Sequence, residues 1–334
     1  MNRVWRLDSY PSGNEFASAI HLVEEAPPTP TDGEVTIAAQ LLSLDAGTRM
    51  WMTPRTDSYQ PPIPLGSIVP GQVVGRVIAS RADGFVPGDL VRAFGQWADV
   101  SVVRPETSGL TVLDETVDDV RAHIGPLGMN GWTALVGIEE IGAIRVDDTV
   151  LVSAAAGATG MLAAQVARIL GARAIGIAGG PEKCAFLTDE LGLDAAIDHR
   201  GVDVEGAIAA AAPAGINIYF DNVGGPLLDA VLPNMANYGR IAICGLIAGY
   251  AEHQSGPKRF DQILARRLQV TGFFSPDFVH RGPELTARLR GWMNEGRLTM
   301  AYDETNGLEN LLSAYARIFT GSNIGKVIVR IGNG

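Results

Sequence analysis

One stretch of this sequence is spaced to hold a diphosphate. The run Val150-Leu-Val-Ser-Ala-Ala-Ala-Gly-Ala-Thr-Gly160 carries an apolar segment into a turn with Gly157 and Gly160. The residues that follow place Leu162, Val166 and Ile169 on one helical face. A strand that turns directly into a helix offers the helix's first backbone N–H groups, at the positive end of its dipole, to an anion beyond the strand. Gly157 permits close approach of the backbone to a phosphate, and Gly160 permits close packing of helix on strand. Gly157, Ala158, Thr159 and Gly160 are therefore the candidate phosphate ligands. Ala155 stands where the usual fingerprint has its first glycine, so the strand–turn–helix context carries the reading. A purely structural turn is the alternative.

The second apolar run indicates which dinucleotide fits. Units that bind NAD place an acid about twenty residues after the glycines, on the ribose hydroxyl. Here the corresponding stretch is Gly176-Ile-Ala-Gly-Gly-Pro-Glu-Lys183. Its strand end, Ala178-Gly179-Gly180, holds no acid, and Lys183 follows within a turn. Open space beside a cation suits a 2′-phosphate, which favours NADPH over NADH. His199 and Arg200, after the third run, can close the same bay, and Glu182 is read as pointing away from it. Ordinary solvated charge is the alternative for Lys183 and Arg200.

Other catalytic constellations are missing from the sequence. A catalytic zinc takes three protein ligands and keeps one position open. The chain has two cysteines, Cys184 and Cys244, and five histidines, His21, His123, His199, His253 and His280, with no recognisable ligand spacing among them. There is no Gly-His-Glu zinc motif and no Gly-x-Ser-x-Gly elbow. The reaction is expected to belong to the cofactor, with the protein positioning and polarising the substrate. Two cysteines cannot build a disulfide framework, and they read as reduced thiols.

These residues need a scaffold, and the chain is long enough to supply one in two domains. It has 334 residues, 46% of them hydrophobic and 40 of them glycine, with a net charge of −11. That acidity disfavours nucleic acid as a partner. No apolar run is long enough to cross a bilayer, and the first residues lack a signal-peptide pattern, so the reading is a cytoplasmic protein. The first third is rich in Pro and Gly, with short β-type runs at 34–40, 71–80, 90–94 and 98–103. A proline-rich loop at 53–66 is placed over a pocket or on the surface. From 149 onward strands alternate with helices. Strands are expected at 149–153, 174–178, 195–199, 217–223, 240–245 and 269–274, with crossover helices at 159–170, 182–191, 204–211, 226–234 and 259–267. Six apolar strands and five crossovers predict a doubly wound parallel sheet. The end of the chain reads as a helix at 284–296, another at 308–320 and a strand at 326–331.

The segments SAAAGATG, IAGGPEKC, FDNVGG and CGLIAGY, with PLGMNGWTALVGIEEIG upstream and GSNIGKVIVR at the end, resemble the medium-chain dehydrogenase/reductase superfamily. Within it they resemble the zinc-free branch of prostaglandin reductases and alkenal double-bond reductases. The resemblance implies an α/β protein with a GroES-like β-domain from residues 1–122 and 300–334, and a Rossmann NADPH-binding domain from 123–299. It implies further cofactor contacts from Asn222, from Cys244, Gly245 and the segment to Tyr250, from Phe273 and Ser275, and from Asn323. Lys183 and His199 would flank the 2′-phosphate. His199 stands where the family has Tyr and would add a charge that depends on pH. Gly47 replaces a pocket tyrosine, and Ala251 an asparagine. The implied activity is NADPH-dependent reduction of the double bond of apolar α,β-unsaturated ketones or aldehydes. Tyr250 is the candidate hydrogen-bond donor to the developing enolate; the ribose hydroxyl or water is the alternative donor. Trp51, Tyr59 and Trp97 are candidates for an apolar substrate wall, with a place in the core as the alternative for each. A homodimer, through the strand at 269–274, is the family expectation. A quinone oxidoreductase and a catalytically silent NADPH-binding protein are the rival readings, and a zinc alcohol dehydrogenase is disfavoured by the ligand count.

Overall fold

The computed structural model describes residues 1–201, 203–251 and 256–332; His253 lies outside them. The chain divides into two compact units, Met1–Ile124 with Tyr302–Gly334, and Gly125–Ala301.

The first unit is mostly β. It opens with the hairpin β1 (Asn2–Leu7) and β2 (Ile20–Glu25), then β3 (Val35–Ser43) and a single helical turn α1 (Thr48–Trp51). Next come β4 (Pro70–Ser80), β5 (Leu90–Gln96), β6 (Val100–Val103), the short α2 (Pro105–Ser108) and β7 (Thr111–Val112). The second unit follows with α3 (Met129–Val136), β8 (Thr149–Val152), α4 (Ala158–Ile169), β9 (Arg173–Ala178) and α5 (Pro181–Ala185). It continues through β10 (Ala195–Asp198), α6 (Val204–Ala211), β11 (Ile216–Asp221), α7 (Gly225–Val231), β12 (Met235–Ile243), α8 (Asp261–Arg266), β13 (Gln269–Gly272) and α9 (Gly282–Asn294). The chain then adds β14 (Tyr302–Asn306), α10 (Leu311–Thr320) and β15 (Lys326–Arg330) to the first unit.

In the first unit the strands run in the order β14-β15-β3-β4-β5-β7, with β6 also on β3. Alternate residues of these strands turn inward. Val35, Ile37, Val73, Val77 and Val91 pack with Trp97 and with Tyr315 of α10, whose rings meet edge-on at 5.0 Å.

In the second unit the order is β10-β9-β8-β11-β12-β13, all parallel. Numbered from β8 this is 3-2-1-4-5-6, the doubly wound order of dinucleotide-binding sheets. The order reverses between β8 and β11, and the crevice at their carboxyl ends is where such sheets take ligands. Both strands are covered on both faces. Val150, Leu151, Val152, Ile218, Tyr219 and Phe220 are all fully buried, each aliphatic contributing roughly 2 kcal/mol relative to exposure.

Two elements differ from the sequence reading, and a third has a local irregularity of its own. Strand β12 begins at Met235, earlier than the apolar run suggests, because the polar stretch Asn237-Tyr-Gly sits at a bulge where Tyr238 has φ 62°. The predicted helix at 182–191 is α5 followed by a wider, π-type turn at Phe186–Glu190. The helix α3 likewise widens at Gly137–Ile141, where a side chain on Gly137 would meet the Phe220 and Phe273 rings at 2.4 and 2.6 Å.

Candidate dinucleotide site

The crevice between β8 and β11 is built by two turns. After β8 the chain passes through Ser153–Ala156 into α4. Gly157 is the N-cap, extended at φ −88° and ψ 173°, and no side chain caps the helix. The amides of Ala158, Thr159 and Gly160 are therefore those that a helix leaves outside its own ladder. Gly160 is buried against the turn: a Cβ there would lie 2.3 Å from the Ala154 carbonyl oxygen. At Gly157 a Cβ would meet only that same oxygen, at 3.2 Å, and otherwise face open space. The two glycines thus serve different ends, close packing at Gly160 and open approach at Gly157. Ala154 adopts φ 48°, and its carbonyl accepts from Gly157 N–H at 2.9 Å. Asn130 of α3 donates to the Thr159 hydroxyl at 3.0 Å, which leaves the hydroxyl proton for another acceptor.

The second turn follows β11. Asp221 is fully buried, and one of its oxygens, Oδ1, accepts from Tyr219 OH, Val223 N–H and Gly224 N–H, each at 2.9 Å, and from Ser153 Oγ at 3.2 Å. Burial pushes its carboxyl above the usual range against the pull of those donors. Asn222 is tied back to β8: its Nδ2 donates to Ser153 O at 2.7 Å and its N–H to Ser153 Oγ at 2.8 Å. The Asp221 carbonyl accepts from Cys244 N–H (2.8 Å) and Gly245 N–H (3.0 Å), so the ends of β11 and β12 are joined as well. Burial, with the Asp221 carboxyl nearby, pushes the Cys244 thiol up to about 12, so it stays a neutral thiol at physiological pH. Tyr250 folds back over this turn, where its hydroxyl accepts from Leu246 N–H at 3.2 Å and lies 2.8 Å from where a Cβ on Gly245 would stand.

A third set of groups gathers at the ends of β9 and β10. A Cβ on Gly179 would lie 2.8 Å from Arg200 Nε and 3.0 Å from His199 Nε2. Both side chains therefore converge on the glycine where a ribose-reading acid would stand. Asp198 Oδ1 accepts from Gly180 N–H (2.8 Å) and Arg200 N–H (2.9 Å), which holds its carboxyl below the usual range and fixes the loop that aims Arg200. Lys183 lies half-buried on α5, directly after this bay.

The crevice thus brings together Gly157–Gly160, Asn222, Cys244, Gly245 and Tyr250, and the bay brings His199 to Gly179. Phe273 is half-buried and meets Phe220 edge-on at 6.2 Å, beside Gly137; Ser275 begins the next turn. Asn323 belongs to the first unit, where it is buried and donates to the Gly325 carbonyl at 3.0 Å. Also in the first unit, Trp51 stands edge-on to Tyr59 (6.5 Å) and Phe94 (5.8 Å) and lines a groove of about 390 Å³ with Pro61, Pro62 and Ile63. The Tyr59 hydroxyl lies 3.9 Å from where a Cβ on Gly47 would stand. Trp97 is not part of such a wall. It is fully buried, with its Nε1 against Gly71, and belongs to the core. The residues that the sequence reading passed over are Asp221, Asp198 and Asn130. Each sits within or beside a motif already singled out, and only its hydrogen bonds reveal its part.

Arrangement and sequence agree with known proteins. Residues 3–111 match a family model described as the N-terminal domain of oxidoreductase, and residues 158–290 one described as zinc-binding dehydrogenase. Among the described residues no three His, Cys, Asp or Glu side chains are grouped as a metal would require. The chain is 34% identical to NADPH-dependent curcumin reductase of Escherichia coli (strain K12), over 99% of this chain and 97% of that protein. It is 35% identical to the NADP(+)-dependent 2-alkenal reductase of Nicotiana tabacum, over 89% and 87%. The crystal structure of CurA in complex with NADPH from Vibrio vulnificus superposes with a TM-score of 0.93 at 35% identity, covering 99% of this chain and 100% of that one. The chain belongs to the medium-chain dehydrogenase/reductase superfamily, in its zinc-free prostaglandin reductase and alkenal double-bond reductase branch. It is an oxidoreductase.

Proposed function

We propose that the protein reduces the carbon–carbon double bond of α,β-unsaturated ketones and aldehydes, adding hydride at the β-carbon and a proton at the α-carbon. NADPH is the cofactor, and when bound it supplies the hydride. The residues fit it. The turn at Gly157–Gly160 has an uncapped helix start and open space at Gly157 for a diphosphate. The bay offers the cations of Lys183 and Arg200, with the His199 ring beside them, to a 2′-phosphate at a strand end without an acid. Asn222, Cys244 and Gly245 form the floor at the ends of β11 and β12, and Phe273, Ser275 and Asn323 complete the set assigned to the cofactor. Residues 125–301 are the cofactor-binding unit in this reading, and the remaining unit carries the substrate wall.

Negative charge builds on the substrate's carbonyl oxygen as its double bond is reduced. The Tyr250 hydroxyl is assigned to donate a hydrogen bond to that oxygen, which lowers the barrier more than it strengthens ground-state binding. Trp51, Tyr59 and Phe94 receive the hydrocarbon part of the substrate. The observation that carries the reading is the convergence of Arg200 and His199 on Gly179, in a chain about one-third identical to curcumin and alkenal reductases. A homodimer is also proposed: among the described residues β13 pairs on one side only, and Val270 on it and Leu264 of α8 before it are exposed.

The test is NADPH oxidation across enones, enals and quinones with product analysis. Saturated ketones and aldehydes are the expected products. Turnover of quinones alone, or alcohols as products from enones, would refute the assignment. Sedimentation of the wild type and of Val270→Lys tests the dimer.

A further inference from the structure

Asp221 is the most buried acid of the crevice and has no part in the chemistry above. Its two carboxyl oxygens are used unequally. Oδ1 takes four donors, two from hydroxyls (Ser153, Tyr219) and two from backbone (Val223, Gly224). Oδ2 is buried and has no partner among the described residues. An acid placed there costs folding free energy that an apolar residue would not, so its position asks for a function beyond packing.

That function is visible in what Oδ1 ties together. Ser153 directly follows β8 and opens the phosphate turn. Its hydroxyl donates to Asp221 and accepts from Asn222 N–H, and its carbonyl accepts from Asn222 Nδ2. The Val223 and Gly224 amides on the same oxygen close the turn on the other side of Asn222. From the Asp221 backbone, the carbonyl holds Cys244 and Gly245. One residue therefore links the ends of the three neighbouring strands β8, β11 and β12. With the diphosphate on the turn after β8 and the adenosine phosphate at β9 and β10, the floor at β11 and β12 is left for the nicotinamide half of the cofactor.

We propose that Asp221 is a positioning residue for that half: by accepting on one oxygen from Ser153 and from the 223–224 turn, it fixes Asn222 and the Cys244–Gly245 backbone in their binding geometry. The proposal rests on the functional reading above. It requires an acceptor oxygen at Asp221, not a negative charge. It also requires that the adenosine half, gathered at the ends of β9 and β10, be indifferent to the link.

The experiment measures dissociation constants of NADPH and of adenosine 2′,5′-bisphosphate, by fluorescence and calorimetry, for the wild type, Ser153→Ala and Asp221→Asn. Asp221→Ala strips the acceptor from two hydroxyls and two amides at once and is expected to unfold, so the milder variants carry the test. Ser153→Ala is expected to weaken NADPH about fivefold, the worth of one net hydrogen bond, while the bisphosphate stays within about twofold. Asp221→Asn keeps an oxygen for the same four donors and is expected to stay within about twofold for both ligands. Equal weakening of both ligands by Ser153→Ala, no weakening of either, or a loss of NADPH binding in Asp221→Asn would overturn the proposal, since each fits a clip that serves only stability or a role for charge. Failure of the wild type to bind NADPH would sink the functional reading along with it.

Discussion

Two glycines three residues apart at the same turn should respond to alanine in opposite ways. At Gly160 the added Cβ would sit 2.3 Å from the Ala154 carbonyl oxygen, 2.9 Å from its carbon and 3.0 Å from the Ala155 Cα. All three are backbone atoms, and the Ala154 carbonyl is further held by the Gly157 amide. The helix would have to lift off the strand end by about 1 Å to restore an ordinary contact of about 3.5 Å. Overpacking of that kind costs about 3 kcal/mol, or about 10 °C in Tm for a unit of this size. At Gly157 the backbone already has a conformation that any residue adopts, and the Cβ meets one oxygen at 3.2 Å. Gly157→Ala should therefore leave the apo Tm within about 2 °C, because a small loss of unfolded-state entropy offsets the mild contact. Its effect should fall on the ligand: the methyl fills the space through which a diphosphate reaches the amides, and NADPH affinity should drop about tenfold or more. Thermal melts without ligand and NADPH titrations well below Tm separate the two effects. Unchanged NADPH affinity in a folded Gly157→Ala would mean that this turn does not cradle the diphosphate.

Other expectations follow from the same geometry. Lys183→Ala should raise KM for NADPH about tenfold or more and leave KM for NADH nearly unchanged, with Arg200→Ala acting in the same direction; equal effects on both cofactors would remove the 2′-phosphate bay. Tyr250→Phe should lower kcat by about tenfold to a hundredfold with little change in NADPH affinity, and unchanged turnover would leave Tyr250 as packing on the Gly245–Leu246 turn. The carboxyl of Asp221 is held above its ordinary range by burial, so the folded state binds its proton more tightly than the unfolded chain does. Stability from this group therefore falls as pH rises above about 4, and Asp221→Asn should gain Tm relative to the wild type over that rise; a difference that is flat with pH would refute the shift.

The cofactor-binding half of the fold is legible because its strands are continuous apolar runs separated by helices of crossover length. Thr149-Val-Leu-Val and Ile216-Asn-Ile-Tyr-Phe announce strands without any partner in view. Other strands are not so marked. β14, Tyr302-Asp-Glu-Thr-Asn, is almost entirely polar and is a strand because β15 lies beside it. The hairpin β1–β2 mixes Arg, His and Glu into its runs, and its register becomes clear only from pairing such as Trp5 with Leu22. At the site, glycines and a lysine are readable because their roles depend on local backbone freedom and on charge. Asp221 is not readable: a polar residue at the end of an apolar run looks like the start of a solvated turn. That it is buried, and that four donors converge on one of its oxygens, depends on Ser153, 68 residues away just past the end of β8. Trp97 shows the converse. Its sequence leaves it open between a pocket wall and the core, and the packing of Tyr315, from the far end of the chain, makes it core.

The cationic bay at Gly179 sits in a molecule of net charge −11. At physiological ionic strength fields fade within about 8 Å, so an arriving phosphate feels Lys183, His199 and Arg200 only in the last step of its approach. In dilute buffer the reach of the acidic remainder lengthens, and a polyanion is turned away before it meets those three groups. Capture should then slow as salt is withdrawn, the opposite of what a phosphate pocket in a basic protein does. The whole molecule's charge thus decides how often the bay is visited, while the bay decides how long the visitor stays.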